Sequence, residues 1–221
     1  MEESDESASD RLTITRATSE KLFEVAFAQA KLRRRLYGTP GHVTLLDKAN
    51  ALRSNAFLRK VYDDVAARHP DVGKARIYID AGSMMFVTNP ERYDVVVTEN
   101  VFGDIASEIA AGVVGGLGVA PSADVSETHG VFQPSHGSAP DITGKGATNP
   151  VATILSAAMM LDWLSDKHGD ERCANAAASI RTATGAILDT GPKTRDLGGS
   201  AGTVEVTQAI RNALTTSAIA A

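Results

Sequence analysis

"YDVVVTENVFGDIASEIAAG", residues 93–112, joins a run of β-branched residues to a stretch of small and apolar ones. Its first six residues suit a buried strand, and the remainder suits a helix opened by Gly103–Asp104. The same alternation continues upstream. "HVTLL" (42–46) and "ARIYI" (75–79) read as strands, with "SNAFLRKVYDDVAARH" (54–69) as a helix between them. Ser54 is a candidate cap for that helix, and Pro70 follows its end. "RLTITR" (11–16) alternates like a strand. "TSEKLFEVAFAQAKLRRR" (18–35) follows as a helix, with Leu22, Val25, Phe27 and Leu32 mainly at helical spacing and basic residues in its last turn. Strand and helix in turn predict an α/β fold with a mixed or parallel sheet.

The texture changes to glycine and proline in "GVVGGLGVAPSAD" (112–124), which marks a domain junction. Residues 11–115 are expected to form one domain and 116–221 a second. The second opens with the long loop "GVFQPSHGSAPDITGKGATNP" (130–150), followed by helices near 150–165, 170–189 and 203–215. Thr203 is the expected cap of the last helix. Residues 1–10 read as a solvated, disordered acidic tail.

With 221 residues, 43% of them hydrophobic, a packed core is expected. A net charge of −5 argues against a nucleic-acid partner, which calls for a basic face. Cys173 is the single cysteine, so neither an intrachain disulfide nor a cysteine-rich metal site is available. The acidic N-terminus lacks the apolar core of a signal peptide. The apolar stretches are too short for a membrane span, so a cytoplasmic location is expected.

The glycines of "GGLG" (115–118) do not satisfy the G-x-G-x-x-G dinucleotide pattern. "GKGATN" (144–149) is not a P-loop, because no Ser or Thr follows its lysine. Asp104 and Glu108 stand four residues apart, on one face of the expected helix, with no basic residue in the segment. Acids in a first turn favour the positive end of the helix macrodipole, which accounts for Asp104 better than for Glu108. A divalent cation accounts for both, since Mg²⁺ and Mn²⁺ take carboxylate oxygens. Asp80 closes the strand "ARIYID" (75–80), where an α/β layer binds ligands, or else caps the next turn. Lys48, after another strand, is a solvent-exposed lysine or, if burial or a cation lowers its pKa, a base. His136 is a turn residue or a ligand-binding one.

Taken together, "DKAN" (47–50), "IDAGSMMFVTNPERYDVVVTENVFGDIASEIAAGVVGGLGVAPSA" (79–123), "HGSAPDITGKGATNP" (136–150) and "RDLGG" (195–199) resemble the isopropylmalate/isocitrate dehydrogenase family of β-decarboxylating hydroxyacid dehydrogenases, most closely its isopropylmalate branch. The resemblance runs in order from about residue 11 to the end. It implies an isopropylmalate dehydrogenase-like α/β fold with a non-Rossmann cofactor site. It implies Mg²⁺ or Mn²⁺ held by Asp104 and Glu108 from one subunit and Asp80 from the other subunit of a homodimer with shared active sites. Lys48 would be the general base, also donated across the dimer, and Asn50 would lie near the nicotinamide. His136, Gly137, Ser138, Ala139, Asp141 and Asn149 would hold the adenosine half of NAD. Asp141 would select NAD over NADP by accepting the ribose hydroxyls.

Family members usually carry aspartate at Glu108, and glutamate at Gln133. They also begin with a nucleotide-binding strand and a glycine-rich turn, then supply substrate-binding arginines and a tyrosine acid. None of these has a counterpart in this chain, which is therefore expected to be N-terminally incomplete and inactive alone. Arg53, Arg59 and the "LRRRL" run (32–36) are expected to face solvent. The expected activity is metal- and NAD-dependent oxidative decarboxylation of a 2-hydroxy dicarboxylic acid, of the 3-isopropylmalate type. Tartrate/malate, homoisocitrate or isocitrate oxidation is the alternative within the family. A non-catalytic remnant serving as an interaction subunit is the alternative outside it.

Overall fold

The structure, a computed structural model, describes residues 2–3 and 6–219. The chain divides into two compact units, Met1–Ala110 and Ala111–Ala221.

In the first unit, a two-residue ladder pairs β1 (Glu2–Glu3) with β2 (Ala8–Ser9). It stands where the sequence suggests a disordered tail; Met1, Ser4 and Asp5 of that tail lie outside the described residues. Residues 11–15 are irregular rather than a strand. Their alternation finds no ladder partner among the described residues, and Ile14 instead packs on the core. Helix α1 (Arg16–Tyr37) follows, and its buried residues are Ser19, Phe23, Ala26, Phe27 and Ala30. The apolar stripe thus runs through Phe23, Phe27 and Ala30, while Leu22 and Val25 are exposed. Reading the stripe from its bulkiest aliphatics gives the helix but not its inner face.

The unit is built on a three-stranded parallel sheet ordered β4-β3-β5, from β3 (His42–Asp47), β4 (Gly73–Tyr78) and β5 (Val95–Val97). Five of the six residues of the central β3 are buried, as expected of a strand covered on both faces. Val43 and Leu45 join α1 and α2 (Arg53–Ala66) in the larger core with Phe23, Phe27, Leu58, Val61 and Tyr62. Tyr62 packs edge-on to Phe23, and its hydroxyl donates to the Val43 carbonyl at 2.8 Å. Leu46 points to the opposite face, against Phe86 of α3 (Ile79–Thr88) and Ala106 of α4 (Asn100–Val114).

Helix α3 has no counterpart in the sequence reading. Its residues "IDAGSMMFVT" form an apolar run without a clear helical stripe. Gly82 lets this helix press onto the sheet, since a Cβ there would stand 2.6 Å from Leu46 Cδ2. Helix α2 likewise lacks the expected cap. Leu52 is its N-cap, and Ser54 lies inside the helix.

The second unit contains the antiparallel pair β6 (Pro121–Val125) and β7 (Gly130–Pro134), where a loop is expected. Helix α5 (Val151–His168) packs on this pair and on α6 (Glu171–Thr190), which in turn meets α7 (Thr203–Ile219). Val119, Val151, Ala183, Val206 and Ile210 form the core. Thr203 begins α7, but its hydroxyl donates to the Thr148 carbonyl rather than serving as a cap. No helix among the described residues is long and apolar enough to cross a membrane.

Gly199 shows how tightly this unit's last loop is folded. A Cβ there would stand 1.9 Å from the Lys193 carbonyl oxygen, an atom that also accepts from Ala201 N–H at 3.0 Å. Gly199→Ala must open the loop, at an expected cost of about 1–3 kcal/mol. Thermal unfolding of the variant is the check, and a midpoint equal to that of the parent would refute the close approach.

Candidate active site

Asp47, Lys48 and Asp80 lie where the parallel strands β3 and β4 end, the edge at which open α/β sheets bind ligands. Asp47 closes β3 and Lys48 follows it, while Tyr78 closes β4 and is paired with Asp47 across the ladder. Asp80 comes two residues later, in the first turn of α3 rather than at a strand end.

Lys48 Nζ stands 3.0 Å from Asp80 Oδ1. Asp80 therefore has a basic partner, supplied by the turn after β3. The Lys48 ammonium, aided by Asp80's own backbone N–H, holds that carboxyl below the usual carboxylate range. The backbone after β3 is turned by Ala51 and Leu52 N–H groups donating to the Lys48 carbonyl at 2.9 and 2.8 Å. Asn50 is exposed on this turn.

Helix α4 starts at Asn100, three residues before the sequence reading places it. Glu99, buried, accepts from the Val101 and Phe102 N–H groups at 3.0 Å each. These two bonds satisfy donors that a helix N-terminus otherwise leaves open. Sequence reasoning does not find this cap, because a glutamate before the helix gives no standard capping signal. Its position matters for Asp104 and Glu108. Both now lie beyond the first turn, outside the reach of the macrodipole account. Both are exposed. Asp104 has only Asn100 Nδ2 at 3.5 Å, and Glu108 has no side-chain partner among the described residues.

Two uncompensated carboxylates on one helical face suit Mg²⁺ or Mn²⁺, which need only one or two protein carboxylates beside substrate and water. Asp80 is not brought to them. Among the described residues, no three His, Cys, Asp or Glu side chains stand close enough to hold a metal ion.

Of the arginines expected to face solvent, Arg53, Arg34 and Arg35 are exposed, whereas Arg33 and Arg59 are partly buried and turn to carboxylates. Arg59 donates to both oxygens of Asp47 at 2.7 Å, and Asp47 is fully buried. Arg33 donates to Asp94 at 2.6 Å. Arg34 donates to the Pro40, Gly41 and Asp71 carbonyls. Sequence gives no signal for the Arg59–Asp47 and Arg33–Asp94 pairs, because their members lie 12 and 61 residues apart.

In the second unit, His136 Nδ1 lies 3.0 Å from the Gly137 carbonyl, and its buried Nε2 has no partner among the described residues. Gly137 and Ser138 are exposed, and Ala139 holds a positive φ of 44°, a strained conformation for a residue with a side chain. Thr143 stabilises that turn by donating to the Ser138 and Ala139 carbonyls. Asp141 gives its carbonyl to Lys145 Nζ at 2.7 Å and keeps its carboxylate exposed. A free carboxylate of this kind fits ribose hydroxyls as donors. Asn149 is buried and structural in its contacts. It donates to Asp196 at 2.9 Å and accepts from Val151 N–H at the start of α5.

An open depression of about 340 Å³ lies between Lys145–Ala147 and the loop carrying Arg195 and Gly199–Gly202. None of His136, Gly137, Ser138, Ala139, Asp141 and Asn149 lines it. Lys145 and Arg195 make it positive, and neither is among the site residues expected from sequence.

The family described as isocitrate/isopropylmalate dehydrogenase matches residues 1–211. A 3-isopropylmalate/3-methylmalate dehydrogenase of Methanocaldococcus jannaschii is 43% identical over 198 residues, covering 89% of this chain and 57% of the relative. An isocitrate/homoisocitrate dehydrogenase of Thermus thermophilus is 44% identical over 205 residues, covering 91% and 57%. The crystal structure of isocitrate dehydrogenase from Methylococcus capsulatus superposes with a TM-score of 0.80 at 36% identity, over 91% of this chain and 57% of that one. The chain thus spans a little over half the length of these proteins. It shares their parallel α/β architecture as well as their sequence, and it belongs to the isocitrate/isopropylmalate dehydrogenase family.

Proposed function

We propose that this chain takes part in metal- and NAD-dependent oxidative decarboxylation of a 2-hydroxy dicarboxylic acid, of the 3-isopropylmalate type, as a cytoplasmic homodimer with shared active sites. The observation that carries the reading is the pairing of Lys48 with Asp80 at the end of the parallel strands, in a unit that also exposes Asp104 and Glu108 with no basic side chain paired to either among the described residues.

In this reading Asp104 and Glu108 bind Mg²⁺ or Mn²⁺, and Asp80 of the second subunit completes the set. The cation supplies Lewis-acid stabilisation of the charge that develops on the substrate's oxygens. Lys48, once neutral, would receive the proton of the 2-hydroxyl, and a nicotinamide held here would supply the acceptor for the carbon-bound hydrogen as hydride. Loss of CO₂ from the resulting keto acid then leaves an enol to be protonated. Asp80 can accept the Lys48 ammonium or bind a cation through the same carboxylate, so the two partnerships compete and Lys48 is freed to meet substrate. Asp141 accepts the adenosine ribose hydroxyls and disfavours a 2′-phosphate by like-charge repulsion. The two substrate carboxylates require fixed positive groups, for which arginine forks are the usual means. Arg33, Arg34 and Arg59 are already engaged, so these groups are expected from outside that set.

Titration calorimetry of the 221-residue chain with Mn²⁺ tests the metal site. Asp104→Asn is expected to weaken binding by at least about tenfold, since even groups that only orient a ligand are worth that much. Equal affinity for parent and variant would sink the reading.

A further inference from the structure

Arg59 makes contacts that no part of the proposed chemistry uses. It lies on α2, one turn after Asn55, so both side chains project from the same face. That face meets the turn carrying Lys48. Asn55, fully buried, accepts from the Lys48 backbone N–H at 2.9 Å. Arg59 grips the buried Asp47 carboxylate with Nε and Nη2, both at 2.7 Å. The same carboxylate accepts from Ala49 N–H at 2.9 Å. Lys48 is thus anchored at its own amide and through both of its neighbours.

The guanidinium also reaches β4. Its Cζ stands 4.9 Å from the centre of the Tyr78 ring. Tyr78 is Asp47's partner across the ladder and the last residue before α3, which carries Asp80 as its second residue. One planar cation therefore spans the ends of two strands, one leading to Lys48 and one to Asp80.

We propose that Arg59, acting through Asp47 and Tyr78, is a positioning residue that clamps the ends of β3 and β4 together and so fixes the Lys48–Asp80 pair. The importance of this for turnover rests on the proposed function, but the clamp is a statement about geometry alone. Lysine cannot replace Arg59, because a point ammonium offers neither the two-pronged grip nor the flat face that lies over Tyr78.

The experiment measures side-chain order of the lysine ammonium groups by ¹⁵N relaxation in the 221-residue chain. Lys60, exposed on α2, and Lys31, whose ammonium pairs with Asp71 at 3.2 Å, serve as internal references. In the parent, Lys48 should be at least as ordered as Lys31. In Arg59→Lys and Arg59→Met it should fall to the level of Lys60, with Lys31 unchanged. Arg59→Met strands a buried carboxylate and can unfold the unit. The double variant Asp47→Asn/Arg59→Met, which removes both charges, is therefore measured beside it, with the same expected loss of Lys48 order. Parent-like Lys48 order in a folded Arg59→Lys or double variant overturns the clamp. Loss of order at Lys48 without any loss of turnover in the assembled enzyme leaves the clamp standing and refutes the catalytic role of Lys48 instead.

Discussion

Lys48→Met is expected to lower turnover of the hydroxy-dicarboxylate in the assembled enzyme by about 10²–10⁴-fold, the usual worth of a positioned general base. Methionine keeps the length and apolar stem of lysine and removes only the group that exchanges a proton. Mn²⁺ binding should survive, because the carboxylates remain. Asp80 should bind a cation at least as readily, having lost the ammonium now 3.0 Å from its Oδ1. The Asp80 carboxyl, held low chiefly by the Lys48 hydrogen bond, should also return toward the ordinary carboxylate range, which a carboxyl-detected NMR titration reads directly. Steady-state kinetics at saturating metal decide the matter. Turnover within about threefold of the parent would show that the proton goes elsewhere.

Asp94→Ala should cost the first unit about 1–3 kcal/mol, the range for leaving buried donors without an acceptor, since the partly exposed Arg33 can turn to water. The Asp94 side chain is only 4% exposed. It accepts from Arg33 at 2.6 Å, Thr39 at 3.0 Å, and the Gly41 and His42 N–H groups at 3.1 Å each. It therefore ties the end of α1 to the start of β3. Burial alone would raise its pKa, but the Arg33 and His42 hydrogen bonds and the Thr39 hydroxyl outweigh burial and lower it. A carboxyl lowered on folding contributes stability that is fully present above its unfolded pKa, about 3.9, and lost as pH falls through the folded value. The gap between parent and variant should thus be constant near neutrality and close in acid below about pH 4. Urea unfolding at pH 7 and at acid pH measures both. A loss under about 1 kcal/mol at pH 7 would mean that solvent replaces the carboxylate without difficulty.

Both residues show where reading the chain succeeds and where it stops. Strands β3, β4 and β5 and helices α1, α2, α4, α5, α6 and α7 are legible because each buries a periodic or continuous apolar pattern that a local window contains. Helix α3 is not legible, because its apolar run has no stripe and it is held down by the approach of Gly82 to Leu46, 36 positions earlier. The pair β6–β7 is missed for a related reason: its strands are short, half exposed and rich in turn-forming residues.

The site divides along the same line. The i, i+4 placement of Asp104 and Glu108 follows from helical geometry alone, and so was available from sequence. The loop after β3 that carries Lys48 was equally available. Lys48 meeting Asp80, Arg59 meeting Asp47, and Arg33 meeting Asp94 were not, since each joins residues that only the parallel sheet brings side by side. An arginine on an isolated helix has no reason to turn inward. It does so here because a buried carboxylate at a strand end must be paired, and the sheet sets which cation is within reach.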